Sequence, residues 1–153
     1  MSQGKKEKDF EDAIEEFLLS EAGGYKKSLP ADFDLTYGLD AIQLFAFIKE
    51  TQPEAWAQIV QRYGNDEAKA RIGFMARVAK EIESRGTADV LRGEVKDQMT
   101  RVKLAYFRPA TSMNDTLAKR YAANRLTLTR QLRYSSRHGN TIDLAILLNG
   151  VLV

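Results

Sequence analysis

The sequence predicts an α+β fold, a partial α/β arrangement in which N-terminal helices precede a small mixed sheet. Three observations carry that expectation. Up to Gly93 the apolar residues recur at helical spacing, whereas beyond it the period falls to two, the repeat of a strand. The stretch Thr141-Ile142-Asp143-Leu144-Ala145-Ile146-Leu147-Leu148 is rich in strand formers. The Asn149-Gly150 that follows it is the strongest short hairpin signal, since a type I′ turn needs φ > 0 at both central residues.

In chain order, Asp9 is placed to cap a first helix over residues 10–21, with Phe10, Ile14, Phe17 and Leu18 on one stripe and Gly23-Gly24 as its end. Residues 25–38, holding Pro30, Asp32, Asp34 and Gly38, read as an irregular connection. Asp40 starts a second helix to residue 51, in which Ile42, Phe45, Ala46 and Ile48 keep helical spacing. Pro53 suits the first turn of a third helix over 53–63. A fourth, over 67–85, turns Ile72, Met75, Val78, Ala79 and Ile82 inward, and Thr87 caps a short fifth. Residues 101–107 alternate and read as a strand stopped by Pro109. Asn114 or Asp115 caps a helix to residue 124. Residues 125–134 then alternate strictly, Leu126, Leu128, Leu132 and Tyr134 against Arg125, Thr127, Gln131 and Arg133. The terminal hairpin follows, with Val151-Leu152-Val153 as its returning arm. The expectation is one domain over 1–153, with a helical insertion at 39–92 and the sheet portion at 101–153.

With 153 residues, 44% of them hydrophobic, the chain is long enough to bury about two-thirds of its unfolded surface. No apolar run approaches the about 18 residues of a membrane span, and the charged N-terminus leads into no apolar segment, so neither a membrane nor secretion is expected. The absence of cysteine excludes disulfides and thiolate metal sites and suits the cytoplasm. The net charge of +2 conceals a division. Residues 1–100 carry 14 Lys/Arg against 19 Asp/Glu, whereas residues 101–153 carry 9 against 2. A basic segment of this kind is either a solvated face or the footprint of a phosphate backbone.

Asp143 is the residue that most invites chemistry. Its segment is apolar on both faces, so a carboxylate there calls for an arginine partner, hydrogen bonds or a cation. Mg²⁺ takes such oxygen ligands. Within the basic segment, Arg125, Thr129, Arg130, Gln131 and Arg133 form the best DNA-facing set, with Lys103 beside them in charge. His138, the only histidine, lies in a polar turn without visible partners, and Asp12 with Glu15-Glu16 reads as a solvated helix face. Trp56 reads as core, and Tyr106, Phe107 and Arg108 as a buried strand end rather than a base-stacking platform.

Several blocks together carry a resemblance: Phe10-Glu11 through Gly24-Tyr25, Leu44-Phe45-Ala46-Phe47-Ile48, Lys103-Leu104-Ala105-Tyr106-Phe107, Asn124-Arg125-Leu126-Thr127 with Gln131, and above all Ile142-Asp143-Leu144 with Leu148-Asn149-Gly150. In this order they resemble the N-terminal segment of the restriction subunit of type I restriction–modification enzymes, over nearly the whole chain. The resemblance implies an incomplete restriction-endonuclease-like core of the PD-(D/E)xK superfamily. Asp143 then matches the catalytic, metal-binding aspartate, and Glu11 the acidic position often found in the first helix. It also implies Mg²⁺ as the nuclease cofactor, DNA as substrate, and modification and specificity subunits as partners. ATP would enter only through motor domains that this chain lacks, since no G-x-x-x-x-G-K-[ST] occurs.

The Glu-x-Lys strand that the family places after Asn-Gly is missing as well, so the chain reads as a fragment, with no cofactor expected to be bound and no cleavage expected from it alone. The interrupted hairpin leaves an apolar edge, for which self-association is expected. A non-enzymatic module that binds protein or nucleic acid is the alternative.

Overall fold

The computed structural model describes residues 2–111 and 113–153, with side chains from Gly4 onward. Among them are six helices, a mixed six-stranded sheet and a separate two-stranded one, so the fold is α+β. The helices are α1 (Ser2–Leu19), α2 (Ala41–Thr51), α3 (Pro53–Arg62), α4 (Glu67–Arg85), α5 (Thr87–Arg92) and α6 (Asp115–Ala122). The strands are β1 (Lys26–Lys27), β2 (Phe33–Asp34), β3 (Leu39–Asp40), β4 (Val95–Asp97), β5 (Thr100–Val102), β6 (Leu126–Arg133), β7 (Thr141–Leu148) and β8 (Val151–Leu152). The large sheet runs β1-β6-β7-β8-β3-β2, with β1 parallel to β6 and every other pairing antiparallel; β4 and β5 form the small one.

The helical half forms where capping chemistry directs it. Asp40 accepts from the Gln43 N–H (3.3 Å), Asp66 from that of Lys69 (3.2 Å) and Asn114 from that of Leu117 (3.1 Å), each satisfying an orphan donor of the helix it starts. Pro53 sits in the first turn of α3, where its missing N–H costs nothing. These helices close on Phe45, Trp56 and Phe74. The ring centroids of Phe45 and Trp56 are 4.9 Å apart, those of Trp56 and Phe74 6.1 Å. Each such burial is worth about 2 kcal/mol. Gly73 is a packing choice inside α4, because a Cβ there would strike the ring of Tyr63.

The first helix departs from expectation. It starts at Ser2 rather than behind an Asp9 cap, since residues 5–8 are good helix formers and carry no breaker. Phe10 is 68% exposed and Phe17 62%, so the inward face carries the half-buried Ile14, Leu18 and Leu19 instead. Ile72 of α4 is likewise exposed, and Phe74 fills the place expected of it.

The strand expected over 101–107 stops at Val102. Beyond it, side-chain amides do the work of a neighbouring strand. Gln52 donates to the Lys103 carbonyl and accepts from its N–H, both at 2.8 Å. Asn124 does the same for Tyr106, at 2.5 and 3.2 Å. Asn149, fully buried, donates to the Leu104 carbonyl (2.8 Å) and to Asn124 (3.0 Å) while accepting from the Arg125 N–H (2.6 Å). The hairpin turn forms as its sequence demands, Asn149 at φ 51° and Gly150 at φ 81°. A Cβ on Gly150 would lie 2.3 Å from the Asp40 carbonyl, so the turn is also a close approach between β8 and the start of α2.

The alternation expected through residues 125–134 breaks at Gln131, which stands at φ 52°. Leu132 therefore packs with Ala145, Leu147 and Phe33, while Thr127 and Thr129, expected outside, are 2% exposed. Tyr134 is 39% exposed and belongs to no core.

Candidate nucleic-acid interface and the Asp143 strand

Asp143 is exposed, which corrects the expectation of a carboxylate inside an apolar strand. Its neighbours Gln131, Arg133 and Thr141 are exposed with it, so this end of the β6–β7 pair is left uncovered among the described residues. Strand β8 pairs with β7 only over Leu147 and Leu148, so the ladder edge beside Asp143 is open as well. Asp143 accepts from the Gln131 amide at 3.3 Å, and Gln131 in turn accepts from the Thr141 hydroxyl at 3.2 Å. A core position would have forced an ion pair on this carboxylate, whereas here it is held by a neutral amide and by water-facing geometry.

Glu11 goes elsewhere. With Asp12 and Glu15, one turn of α1 away, it grips Arg130: Glu11 to Nη2 at 2.8 Å, Asp12 and Glu15 to Nη1 at 2.9 and 2.7 Å. Lys27 on β1 adds a fourth contact to Glu15 at 2.8 Å. Arg130 faces Leu144 across the ladder and shares its side, and Asp143, next along β7, points to the other. Glu11 and Asp143 thus lie on opposite faces of the sheet, and the two carboxylates that the resemblance assigns to one site are apart. Among the described residues no three His, Cys, Asp or Glu are placed to hold a metal ion, the Glu11, Asp12 and Glu15 carboxylates being spent on Arg130, so Asp143 is a single carboxylate and not a complete Mg²⁺ site. Glu-x-Lys tripeptides do occur, but Glu67-Ala68-Lys69 opens α4 and Glu94-Val95-Lys96 enters the separate β4–β5 sheet.

The remaining members of the expected DNA-facing set disperse. Arg125 donates from Nε to the Gln43 side chain at 2.6 Å, toward α2. Arg133 donates to the Ser135 and His138 carbonyls at 3.2 and 3.1 Å, closing its own turn. Lys103 has its backbone clamped by Gln52, as above. His138 is exposed, its Nδ1 accepting from the Asn140 N–H at 3.2 Å. Trp56 is core, as expected. Tyr106 is buried, but Phe107, expected with it at a strand end, is 57% exposed.

Arg125 instead joins residues that the charge count had hidden. A cleft of about 390 Å³ is lined by Lys26, Lys27, Gln43, Arg125 and Thr127, with Glu50 at its rim. The Thr127 hydroxyl is buried there with no partner among the described residues. Next to it, sharing Glu50, Ala122 and Ala123, lies a second cleft, with Lys119 and Arg120 of α6. The adjacent pair Lys26-Lys27 was legible as a local signal, but it sits in the acidic part of the chain, whose balance masked it.

Compared with models of known protein families, with curated proteins and with solved structures, the chain matches none. No helix among the described residues is long and apolar enough to cross a membrane.

The carboxylate cluster carries a pH prediction. Hydrogen bonds from Lys27 and then from Arg130 hold the Glu15 carboxyl below the usual glutamate range. A group whose folded pKa is depressed contributes stability that is present above its unfolded value and lost as the pH falls through the folded one. Acidification below the ordinary glutamate range is therefore expected to loosen α1 from β6 before the helical core opens. Hydrogen exchange of α1 amides against those of α4 across an acid series checks it, and simultaneous loss of both would count against it.

Proposed function

We propose that Asp143 is the metal-binding aspartate of a PD-(D/E)xK nuclease core of the kind found in the restriction subunit of type I restriction–modification enzymes, acting on DNA in the cytoplasm beside modification and specificity subunits. The observation that carries this reading is an exposed carboxylate on a hairpin strand whose next ladder position is open. The register Leu147↔Leu152 and Leu148↔Val151 directs the returning strand toward Asp143, and about four more residues bring it alongside at strand spacing. In this reading that is the place of the Glu-x-Lys strand. Asp143 contributes one carboxylate to the divalent cation, Gln131 orients it, and Glu11 serves to fix Arg130 and α1. ATP hydrolysis belongs to motor domains outside these residues.

The test compares this chain with a form extended through its reading frame, each with Mg²⁺ and supercoiled plasmid. The chain alone is expected not to cut. The extended domain is expected to nick, and Asp143→Ala to lower that rate by about a thousandfold or more with an unchanged circular dichroism spectrum. Extended-domain cleavage that survives Asp143→Ala would overturn the assignment, as would Mg²⁺-dependent nicking by this chain alone. A second reading, a non-enzymatic nucleic-acid-binding module, is favoured by the basic clefts at α6, which lie away from Asp143: Arg125, just before β6, and Gln131 within it are six residues apart, about 20 Å at strand spacing.

A further inference from the structure

The helix α6 lies on the surface with no buried residue, although it carries Leu117, Ala118, Tyr121 and Ala122. Leu117 is 38% exposed and Tyr121 43%. Around it, clefts succeed one another. On one flank are those holding Lys26 with Arg125 and Lys119 with Arg120; on the other, a cleft of about 530 Å³ brings Arg108 and Pro109 against Ala118 and Tyr121. Phe107, beside Arg108 in the chain, is 57% exposed.

An exposed apolar helix face calls for an occupant, and its chemistry is set by charge. The acids about this surface are Glu50, shared by two of the clefts, Asp115 in the first turn of α6, and Glu54 and Glu94, which line a further cleft together with the cations Arg101, Lys103 and Arg120 and with Leu117. Glu15 occupies Lys27, and Arg120 stands over the Tyr106 ring at 5.5 Å. That leaves Lys26, Arg108, Lys119 and Arg125 as cations without a carboxylate partner among the described residues. Cations spaced along clefts and interleaved with accessible aromatic faces suit a flexible polyanion whose bases are free to stack. A duplex keeps its bases paired and offers only phosphates.

We propose that the α6 surface binds single-stranded nucleic acid, with phosphates on Arg108, Lys119 and Arg125 and unpaired bases stacked on Phe107 and Tyr121. This goes beyond the nuclease reading and does not depend on it, since none of these residues touches Asp143. It also moves the nucleic-acid contacts away from Arg130, whose guanidinium is taken by three carboxylates.

The test measures fluorescence anisotropy of a labelled oligothymidine of about 12 nucleotides, within the range of a single-domain site, beside a duplex of the same length. The single strand is expected to bind more tightly. Phe107→Ala with Tyr121→Ala is expected to weaken it at least about tenfold while leaving the duplex unchanged, because stacking contributes about 1–3 kcal/mol per base. Phe107→Trp, keeping a stacking face, should restore most of the affinity in the Tyr121 wild-type background. Arg108→Ala with Lys119→Ala should flatten the salt slope by about 1.4, at about 0.7 per phosphate on a single strand, and Arg130→Ala should leave it as it is. Asp143→Ala should alter none of these values, so the two proposals fail separately. Equal loss of single-strand and duplex binding in the aromatic variant would overturn the inference. So would unchanged oligothymidine affinity in that variant, or no binding at low salt, which would assign the apolar face to a protein partner.

Discussion

Asn149→Ala is expected to cost about 3–5 kcal/mol, a large share of the stability of a domain this size. The side chain is completely buried and ties three segments together: β6 through the Arg125 N–H, the 103–107 segment through the Leu104 carbonyl, and the end of α6 through Asn124. Truncation strands a buried donor and a buried acceptor, each worth about 1–3 kcal/mol. It also removes the residue type that best tolerates φ 51° in a turn. Urea denaturation checks the value, and Asn149→Asp separates the causes. The aspartate keeps the acceptor for Arg125 but loses both donors, so it should fall at least as far. A loss below about 1 kcal/mol for Asn149→Ala would mean that water replaces the amide and that the three segments are held by packing alone.

Arg130→Glu is expected to release α1 from the sheet. Where the guanidinium now answers Glu11, Asp12 and Glu15, the variant would place a fourth carboxylate among them, with Lys27 as the one remaining cation in contact among the described residues. The α1 amides should exchange on the order of a hundredfold faster, while α4 and β7 keep their protection, since local opening need not reach the helical core. Arg130→Met, which preserves the aliphatic stem, should give a smaller effect. Equal protection in wild type and Arg130→Glu would show that Ile14, Leu18 and Leu19 hold the helix unaided.

The elements defined by local chemistry were legible in the sequence. The caps Asp40, Asp66 and Asn114, the first-turn Pro53 and the Asn149-Gly150 turn each act through a neighbour within a few residues, so α2, α3, α4, α6 and the hairpin fall where their residues place them. What depended on distant partners was not. Nothing near residue 103 announces that Gln52, 51 positions away, takes the place of a strand beside it. Nothing in an alternating stretch announces that Gln131 will adopt a positive φ, or that Leu132 will pack with Ala145 and Leu147 while Thr127 and Thr129 are buried as well. Asp143 was found as a residue but misplaced in environment, because a strand apolar on both sides reads as fully buried, whereas this end of the β6–β7 pair is left exposed. The basic groove was missed for a different reason. Its cations come from both sides of the division at residue 100, and a count along the chain separates what folding brings together.

The blocks on which the resemblance rests have a common property in the fold. Leu104, Tyr106, Asn124 and Asn149 meet in one hydrogen-bonded knot, so this part of the pattern reports architecture, whereas Asp143 lies outside the knot and is exposed.

That knot also governs how the protein ages. An asparagine followed by glycine is the dipeptide most prone to lose ammonia, because the unhindered glycine amide attacks the side-chain carbonyl to form a succinimide. Here the carbonyl oxygen of Asn149 is held by the Arg125 N–H and its amide nitrogen by two acceptors, out of reach of water. Deamidation at this position is therefore expected to run much more slowly in the folded chain than in the unfolded one, and each event leaves an aspartate or isoaspartate that no longer closes the knot. The turn that makes the hairpin is therefore also expected to register, irreversibly, time spent unfolded.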